Sequence, residues 1–187
     1  EDIESVDAVF AEIEKKWGKL DFIVHAIGFS DKTELKGRYA DVTTRENFSR
    51  TMVISAYSFT EMAQRAEKLM KDGGSILTLT YGGSTRTIPN YNVMGVAKAA
   101  LEAMVRYLAA DYGPQGIRVN AIAPGFFQSE MTDQYKPGYL ESVIGRAVLG
   151  RPGDPEELAA TLVWLASDAG GYVTGQTIVV DGGVTIT

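Results

Sequence analysis

The feature that most constrains the fold of this chain is the alternation of short apolar runs with longer amphipathic ones. One short run, residues 20–27, is rich in β-formers and nearly all apolar. That pattern is expected of a strand buried on both faces of a parallel sheet. Further strands are predicted over residues 75–81, 116–123 and 177–181, each next to glycine, proline or aspartate.

Helical patterns separate these strands. Apolar residues recur at steps of three and four over 5–17, capping residues begin a long helical region over 44–71, and proline stands at the start of a helix over 155–167. The helix predicted over 91–112 is apolar on nearly every side, so we expect protein to cover both of its faces. Residues 30–42 indicate a loop. The alternation predicts one α/β domain over 1–187, a doubly wound parallel sheet of Rossmann-like type.

The front of a dinucleotide-binding fold is not seen in the sequence. Such a fold begins with a strand, a glycine-rich turn and a helix whose N-terminus faces the pyrophosphate. This sequence begins on a helix, and its glycine pairs lack the required spacing and are predicted to be turns. A sheet without its first strands would expose a long edge, so we expect those strands and the glycine-rich turn to precede Glu1.

Composition excludes several classes of function. A formal net charge of -6 argues against a nucleic-acid partner, which needs a basic face. No apolar run approaches the roughly 18 residues of a membrane span, and the first residues are acidic. We therefore expect a cytoplasmic protein that binds no membrane. With no cysteine and one histidine, we expect no metal site, and the chemistry must come from tyrosine, lysine, hydroxyls, carboxylates or a cofactor.

Tyr91 and Lys98 are the strongest catalytic candidates. They are seven residues apart in a predicted helix, about two turns, so both lie on one face. A nearby ammonium favours the ionised form of tyrosine, so we expect Lys98 to lower the pKa of Tyr91. The spacing alone is a weak signal, more often a coincidence than a site, because tyrosine and lysine are common residues.

Four segments carry a resemblance to a known family: WGKLDFIVHAIGF, ISAYSF, SILTLTYGGS and PNYNVMGVAKAALEAMVRYLA. Over residues 17–122 the chain resembles the bacterial enoyl-acyl-carrier-protein reductases, within the short-chain dehydrogenase/reductase family. The resemblance implies that Tyr91 serves the substrate oxygen and that Lys98 binds the nicotinamide ribose. It also implies a second active-site tyrosine ten residues before the first, which is Tyr81.

The same resemblance implies NAD as the cofactor, with NADH preferred over NADPH on this ground only. The residues that normally choose between the two are expected before Glu1. Besides Lys98, the implied cofactor-binding positions are Ala26, Ile27, Gly28, Thr80, Gly125, Phe127 and Ser129. His25 lies beside the first of these, but a lone histidine at a strand end is more often a satisfied core residue than a catalyst.

After Pro124 the resemblance changes. PGFFQSEMT and the segment GRPGDPEELAATLVWLASDAGGYVTGQTIVVDGG resemble 3-oxoacyl reductases and sugar dehydrogenases of the same family. We expect residues 126–150 to form a substrate lid whose aromatic residues either line an apolar channel or pack in the core. Thr78 stands where ketone-reducing members usually carry a catalytic serine, which weakens ketone reduction.

Three functions follow as hypotheses. The first is NADH-dependent reduction of the trans-2 double bond of an enoyl thioester on acyl carrier protein, in fatty acid synthesis. The second is reduction of a 3-oxoacyl thioester or sugar ketone, and the third is a non-catalytic scaffold. We also expect a homo-oligomer, dimer or tetramer, because of the all-round apolar helix over 91–112. Three basic residues are either contacts for an acidic carrier protein or solvated charges: Lys136, Arg146 and Arg151.

Overall fold

The computed structural model describes residues 2–128 and 137–187, with the backbone alone at 137, 139, 140 and 143. The helices are α1 (Ile3–Trp17), α2 (Tyr39–Val42), α3 (Arg45–Met52), α4 (Ser58–Glu67), α5 (Asn92–Tyr112), α6 (Pro137–Ile144) and α7 (Pro155–Ala166). The strands are β1 (Phe22–His25), β2 (Gly74–Leu79), β3 (Ile117–Pro124) and β4 (Thr177–Val180). No helix of the described residues is long and apolar enough to cross a membrane.

The four strands form one parallel sheet in the order β1-β2-β3-β4. In this register Ile23 lies beside Ile76, and Ile76 beside Val119. Because every strand runs the same way, the four carboxyl ends lie along one edge of the sheet, where ligands of such folds bind. The predicted parallel α/β sheet is confirmed.

Helices cover both faces of the sheet. On one face α1, α4 and α5 bury a cluster against β2 and β3 that includes Phe59, Leu101 and Val119. On the other face α7 places Leu165 against Leu77 and Ile122. Neighbouring residues along one strand point to opposite faces, so β2 and β3 supply apolar side chains to both clusters. The doubly wound arrangement predicted from the sequence is confirmed.

Several predicted boundaries were wrong. The long helix predicted over 44–71 is divided into α3 and α4 by a π-helical turn, Val53–Tyr57, and the loop predicted over 30–42 contains the short α2. β1 is shorter than predicted and ends at His25, which leaves residues 26–28 beyond the strand. Only one side of α5 is packed against the sheet, and Tyr107 on its other side is 76% exposed.

Candidate active site

Tyr81 and Tyr91 come together at the carboxyl edge of the sheet. Tyr81 follows β2 by two residues, and Tyr91 is the residue that caps the N-terminus of α5. Their rings meet edge to face, with 5.0 Å between centroids and 65° between planes. The structure thus pairs the two tyrosines that the sequence predicted as catalytic.

Lys98 lies two turns into α5 and is almost fully buried, with 8% of its surface exposed. Its Nζ donates a hydrogen bond to the carbonyl oxygen of Leu79, the last residue of β2, at 2.8 Å. Burial lowers the pKa of Lys98 to about 8, and the Glu102 carboxylate opposes that shift. An ammonium has three donors, and this is its one hydrogen bond to the described residues, so two N–H groups remain for other acceptors.

The pKa of Tyr91 shifts opposite to the sequence prediction. We expected Lys98 to lower it, but burial raises it, and the neighbouring Tyr81 raises it further. Desolvation disfavours the phenolate, and the Lys98 ammonium is directed to the Leu79 carbonyl instead. The Tyr91 phenol is therefore protonated across the physiological range and acts as a hydrogen-bond donor.

Two glycines that the sequence did not single out fix the position of Tyr91. Residues 82–84 form a single 3-10 turn after Tyr81, and this turn packs on the first turns of α5. A Cβ on Gly83 would lie 2.5 Å from Cδ1 of Tyr91, and a Cβ on Gly95 would lie 2.7 Å from the carbonyl oxygen of Gly83. Only glycine permits this approach, which presses the turn against the Tyr91 ring.

Two asparagines on either side of Tyr91 adopt left-handed backbone conformations, with φ of 60° at Asn90 and 33° at Asn92. Asparagine tolerates this region better than most residues. The Asn92 side-chain amide donates to the carbonyl oxygens of Glu34 and Gly37, at 3.2 and 3.3 Å. The loop before α2 is thereby tied to the residue next to Tyr91.

Residues 26–28, the positions implied for the adenosine side, are exposed just after β1. Ser55, in the π-helical turn, holds the following residue: its Oγ accepts from the Phe29 N–H and donates to the Phe29 carbonyl, both at 2.8 Å. A Cβ on Gly28 would lie 3.6 Å from Cε of Met94 on α5. Residues 26–28 are therefore exposed next to α5, at the same edge of the sheet as Lys98.

The remaining implied cofactor positions lie after β3. The Gly125 N–H donates to the Val180 carbonyl at 2.8 Å, and its Cα lies so close to Asp181 that a Cβ would meet the Asp181 Cα at 2.6 Å. The Phe127 ring packs against Gly153. Ser129, and residues 129–136 of the predicted lid, lie outside the described residues.

An open cleft beside Phe127 lies between the start of that lid segment and the end of β4. It has a volume of about 110 Å³ and includes neither Tyr81, Tyr91 nor Lys98 in its lining. Arg151 and Glu157 line it too, and they already bond each other at 2.7 and 2.8 Å. Ligand pockets commonly exceed ~300 Å³, so this cleft is too small for an acyl thioester.

Thr80 and His25 are both buried behind this edge. The Thr80 hydroxyl donates to the Glu102 carboxylate at 2.7 Å, so its side chain faces α5. His25 bonds Thr78 and Ser58 through its two ring nitrogens, at 3.0 and 2.9 Å. The prediction that His25 is a satisfied core residue is confirmed. The described residues contain no group of three or more histidine, aspartate or glutamate side chains that could hold a metal ion.

Comparison with known proteins gives consistent matches along the chain. A family model described as Enoyl-(Acyl carrier protein) reductase matches residues 1–185. Enoyl-[acyl-carrier-protein] reductase [NADH] 2 of Rhizobium meliloti is 58% identical over 189 residues, covering 100% of this chain and 70% of the relative. The corresponding reductase [NADH] of Synechocystis is 47% identical and covers 100% of this chain and 72% of the relative.

Solved structures agree with these matches. The reductase of Anaplasma phagocytophilum in complex with NAD has a TM-score of 0.89 at 47% identity, with 100% of this chain and 69% of that chain covered. The Bacillus cereus reductase with NADP+ and indole naphthyridinone has a TM-score of 0.93 at 43% identity, with coverages of 100% and 73%. The matches include the carboxyl-terminal third, where the sequence alone indicated a resemblance to 3-oxoacyl reductases.

Proposed function

This chain belongs to the enoyl-(acyl carrier protein) reductase family, and from that membership we propose that it reduces the trans-2 double bond of an enoyl thioester carried on acyl carrier protein, with NADH, in fatty acid synthesis. The observation that carries the proposal is the edge-to-face pair of Tyr81 and Tyr91 at the same edge of the sheet as the buried Lys98 ammonium. A donor to an oxygen and a cation at the cofactor position are the two groups that such a reduction requires of the protein.

Tyr91 stabilises the charge that develops on the substrate. NADH would supply a hydride for C3 of the enoyl group, negative charge would develop on the thioester oxygen, and C2 would then take a proton from solvent to complete the reduction. The Tyr91 O–H donates a hydrogen bond to that oxygen, and its raised pKa keeps the phenol protonated for this role. Tyr81, packed on the Tyr91 ring, limits the ring's movement and shapes the pocket.

The cofactor-binding residues are assigned by the family resemblance together with their position at the sheet edge. Lys98 would hold the nicotinamide ribose with its two remaining N–H groups. The exposed backbone of residues 26–28 would meet the adenosine side, and Gly125 and Phe127 the nicotinamide side. Thr80 and Ser129 stay predictions. NADH is the proposed cofactor because the names of the two relatives above specify it, although one solved relative holds NADP+.

Assaying crotonyl and acetoacetyl thioesters side by side with NADH tests the proposal. We expect turnover of the crotonyl thioester, and a loss of roughly 100-fold in kcat for Tyr91→Phe, which removes one donor to the developing oxyanion. Tyr107→Phe is the matched control, because Tyr107 lies on the same helix and is exposed. Turnover of the acetoacetyl thioester alone would contradict the proposal.

The geometry of Thr78 argues against the ketone-reductase alternative. Its side chain is fully buried, and its hydroxyl lies 3.0 Å from Nδ1 of His25. It is therefore engaged in the core rather than presented to a substrate. The scaffold alternative predicts that the purified protein binds no NADH, so a fluorescence titration with NADH distinguishes it.

A homo-oligomer, a cytoplasmic location and a carrier-protein contact belong to the same proposal. The outer side of α5 leaves Val96 and Tyr107 exposed, and Tyr57 beside α4 is exposed too, which favours burial against another copy of the chain. Of the basic residues considered for the carrier, Arg151 is bound to Glu157, and Lys136 lies outside the described residues.

A further inference from the structure

The Lys98 ammonium is buried, so interactions with other protein groups must replace the hydration it has lost. Burial lowers its pKa to about 8, because desolvation disfavours the charged form. Two charged or titratable side chains act on it electrostatically: Glu102, one turn further along α5, and His25, at the end of β1. His25 is a neutral partner, because burial lowers its pKa to about 4. Tyr81 and Tyr91 lie at the same edge, and the raised pKa of Tyr91 leaves its phenol uncharged at neutral pH.

Two consecutive residues at the end of β2 hold both charges. The backbone carbonyl of Leu79 accepts from the Lys98 ammonium at 2.8 Å, and the side-chain hydroxyl of Thr80 donates to the Glu102 carboxylate at 2.7 Å. Thr80 is buried, and its own N–H is bound to the Ile122 carbonyl of β3 at 2.8 Å, so its hydroxyl is a fixed anchor. The cation and the anion are thus fixed by one short piece of strand.

We propose that Glu102 is a positioning residue for Lys98: held by Thr80, its carboxylate keeps the ammonium charged while the Leu79 carbonyl directs it to the sheet edge, where the proposed function requires it to bind the nicotinamide ribose. A free surface carboxylate would need no buried hydroxyl to orient it. In this arrangement the role of Thr80 is to hold Glu102 in place.

The test measures Lys98 directly, in the purified protein without added cofactor. Lysine labelled with ¹³C at Cε gives NMR signals that move when the amine loses its proton, and the Lys98 signal is the one missing from a Lys98→Met variant. We expect Glu102→Gln to lower the titration midpoint of Lys98 by about one pH unit, since it removes a nearby opposite charge. The charged fraction at pH 8 then falls from about a half to roughly a tenth.

Paired variants separate charge from position and from folding. Glu12→Gln is the matched control. Glu12 also lies four residues from a lysine, Lys16, but on an exposed face of α1. The two substitutions change the net charge of the protein equally. Thr80→Val removes the anchoring hydroxyl and should shift the Lys98 midpoint in the same direction as Glu102→Gln. Thr80→Ser keeps the hydroxyl and should leave the Lys98 midpoint at its wild-type value. Thermal unfolding followed by circular dichroism identifies folded variants, and Thr80→Val carries the test if Glu102→Gln does not fold.

The pH dependence of the KM for NADH should shift in the same variants as the Lys98 titration midpoint. If Lys98 binds ribose as a cation, the KM for NADH rises as pH increases through about 8 in the wild type and at a lower pH in Glu102→Gln. A Lys98 midpoint equal in Glu102→Gln and Glu12→Gln would overturn the proposal. The NMR shift does not depend on turnover, so failure of the wild type to reduce crotonyl thioester would reject the proposed function and leave this result intact.

Discussion

His25 shows how a titratable side chain can be built into the core beside an active site. It is 1% exposed, with Nε2 2.9 Å from Ser58 Oγ and Nδ1 3.0 Å from Thr78 Oγ1. Ser58 donates its own proton to the Ile54 carbonyl at 2.6 Å, so its oxygen accepts from Nε2–H. In the neutral tautomer with its proton on Nε2, the Thr78 hydroxyl lies between two acceptors, Nδ1 at 3.0 Å and the His25 carbonyl at 3.2 Å, so both ring nitrogens have a partner. A second proton would put a charge in a buried place near the Lys98 ammonium.

This burial makes stability depend on pH in a defined window. The pKa of His25 is lowered from 6.5 to about 4 in the fold, so between these values the unfolded chain binds a proton that the folded chain does not. The free energy of unfolding should fall as pH decreases from about 6.5 to about 4, by about 3 kcal/mol in all. Urea unfolding at several pH values should show this loss in the wild type and a smaller one in His25→Gln.

The single histidine also allows a direct check. The sequence contains one histidine, so the untagged protein gives one imidazole C2 proton signal by NMR. We expect its titration midpoint near 4. A midpoint close to the ordinary value for histidine would contradict the buried neutral state.

At the scale of secondary-structure elements, periodicity located all four strands and the helices that flank them. Strands covered on both faces give continuous apolar runs, and α1 has one apolar stripe, so these patterns are strong. Periodicity could not locate the π-helical turn inside the predicted 44–71 helix. Such a turn inserts one residue, and its reason lies elsewhere in the chain, in the contact of Ser55 with Phe29.

The sequence predicted which residues form the candidate site, but not the contacts between them. Spacing and resemblance singled out Tyr81, Tyr91 and Lys98, and the structure places all three at one edge of the sheet. The bond of Thr80 to Glu102 joins residues 22 positions apart, which no local pattern indicates. The direction of the Tyr91 pKa shift was wrong for the same reason, because it depends on burial in the folded chain.

The close approach of the 82–84 turn to α5 predicts a strong effect of a single methyl group. Gly95→Ala places a Cβ 2.7 Å from the Gly83 carbonyl oxygen and should push the turn away from the helix, moving the Tyr91 ring. We expect a loss of about 1–3 kcal/mol in the free energy of unfolding. We also expect kcat to fall, with a smaller relative change in the KM for NADH.

Gly113, at the other end of α5, is the matched control for this change. A Cβ on Gly113 meets no atom within 4 Å, and its φ of -53° suits alanine. Gly113→Ala should leave kcat unchanged and alter stability by less than about 1 kcal/mol. Equal effects of the two alanines, by urea unfolding and steady-state kinetics, would show that the Gly83 contact does not position Tyr91.

At the scale of the whole molecule, burial is concentrated in the two central strands of the sheet. β2 and β3 have neighbouring strands on both sides and side chains in both apolar clusters. β4 pairs only with β3 among the described residues, and Val179 on it is 49% exposed. Lys98 is bonded to the last residue of β2, and α5, which begins after Tyr91 and carries Lys98, packs on β3, so the site is attached to the most buried part of the fold.

Two identical substitutions on neighbouring strands measure this difference. Val119→Ala on β3 removes two methyl groups from a fully buried side chain, and it should lower the free energy of unfolding by about 2 kcal/mol or more, because the cavity cannot collapse completely. Val179→Ala on β4 removes the same groups from a half-exposed side chain and should cost less than about 1 kcal/mol. Urea unfolding followed by circular dichroism compares the two. Equal losses would mean that Val179 is buried in solution, and would place another copy of the chain against β4.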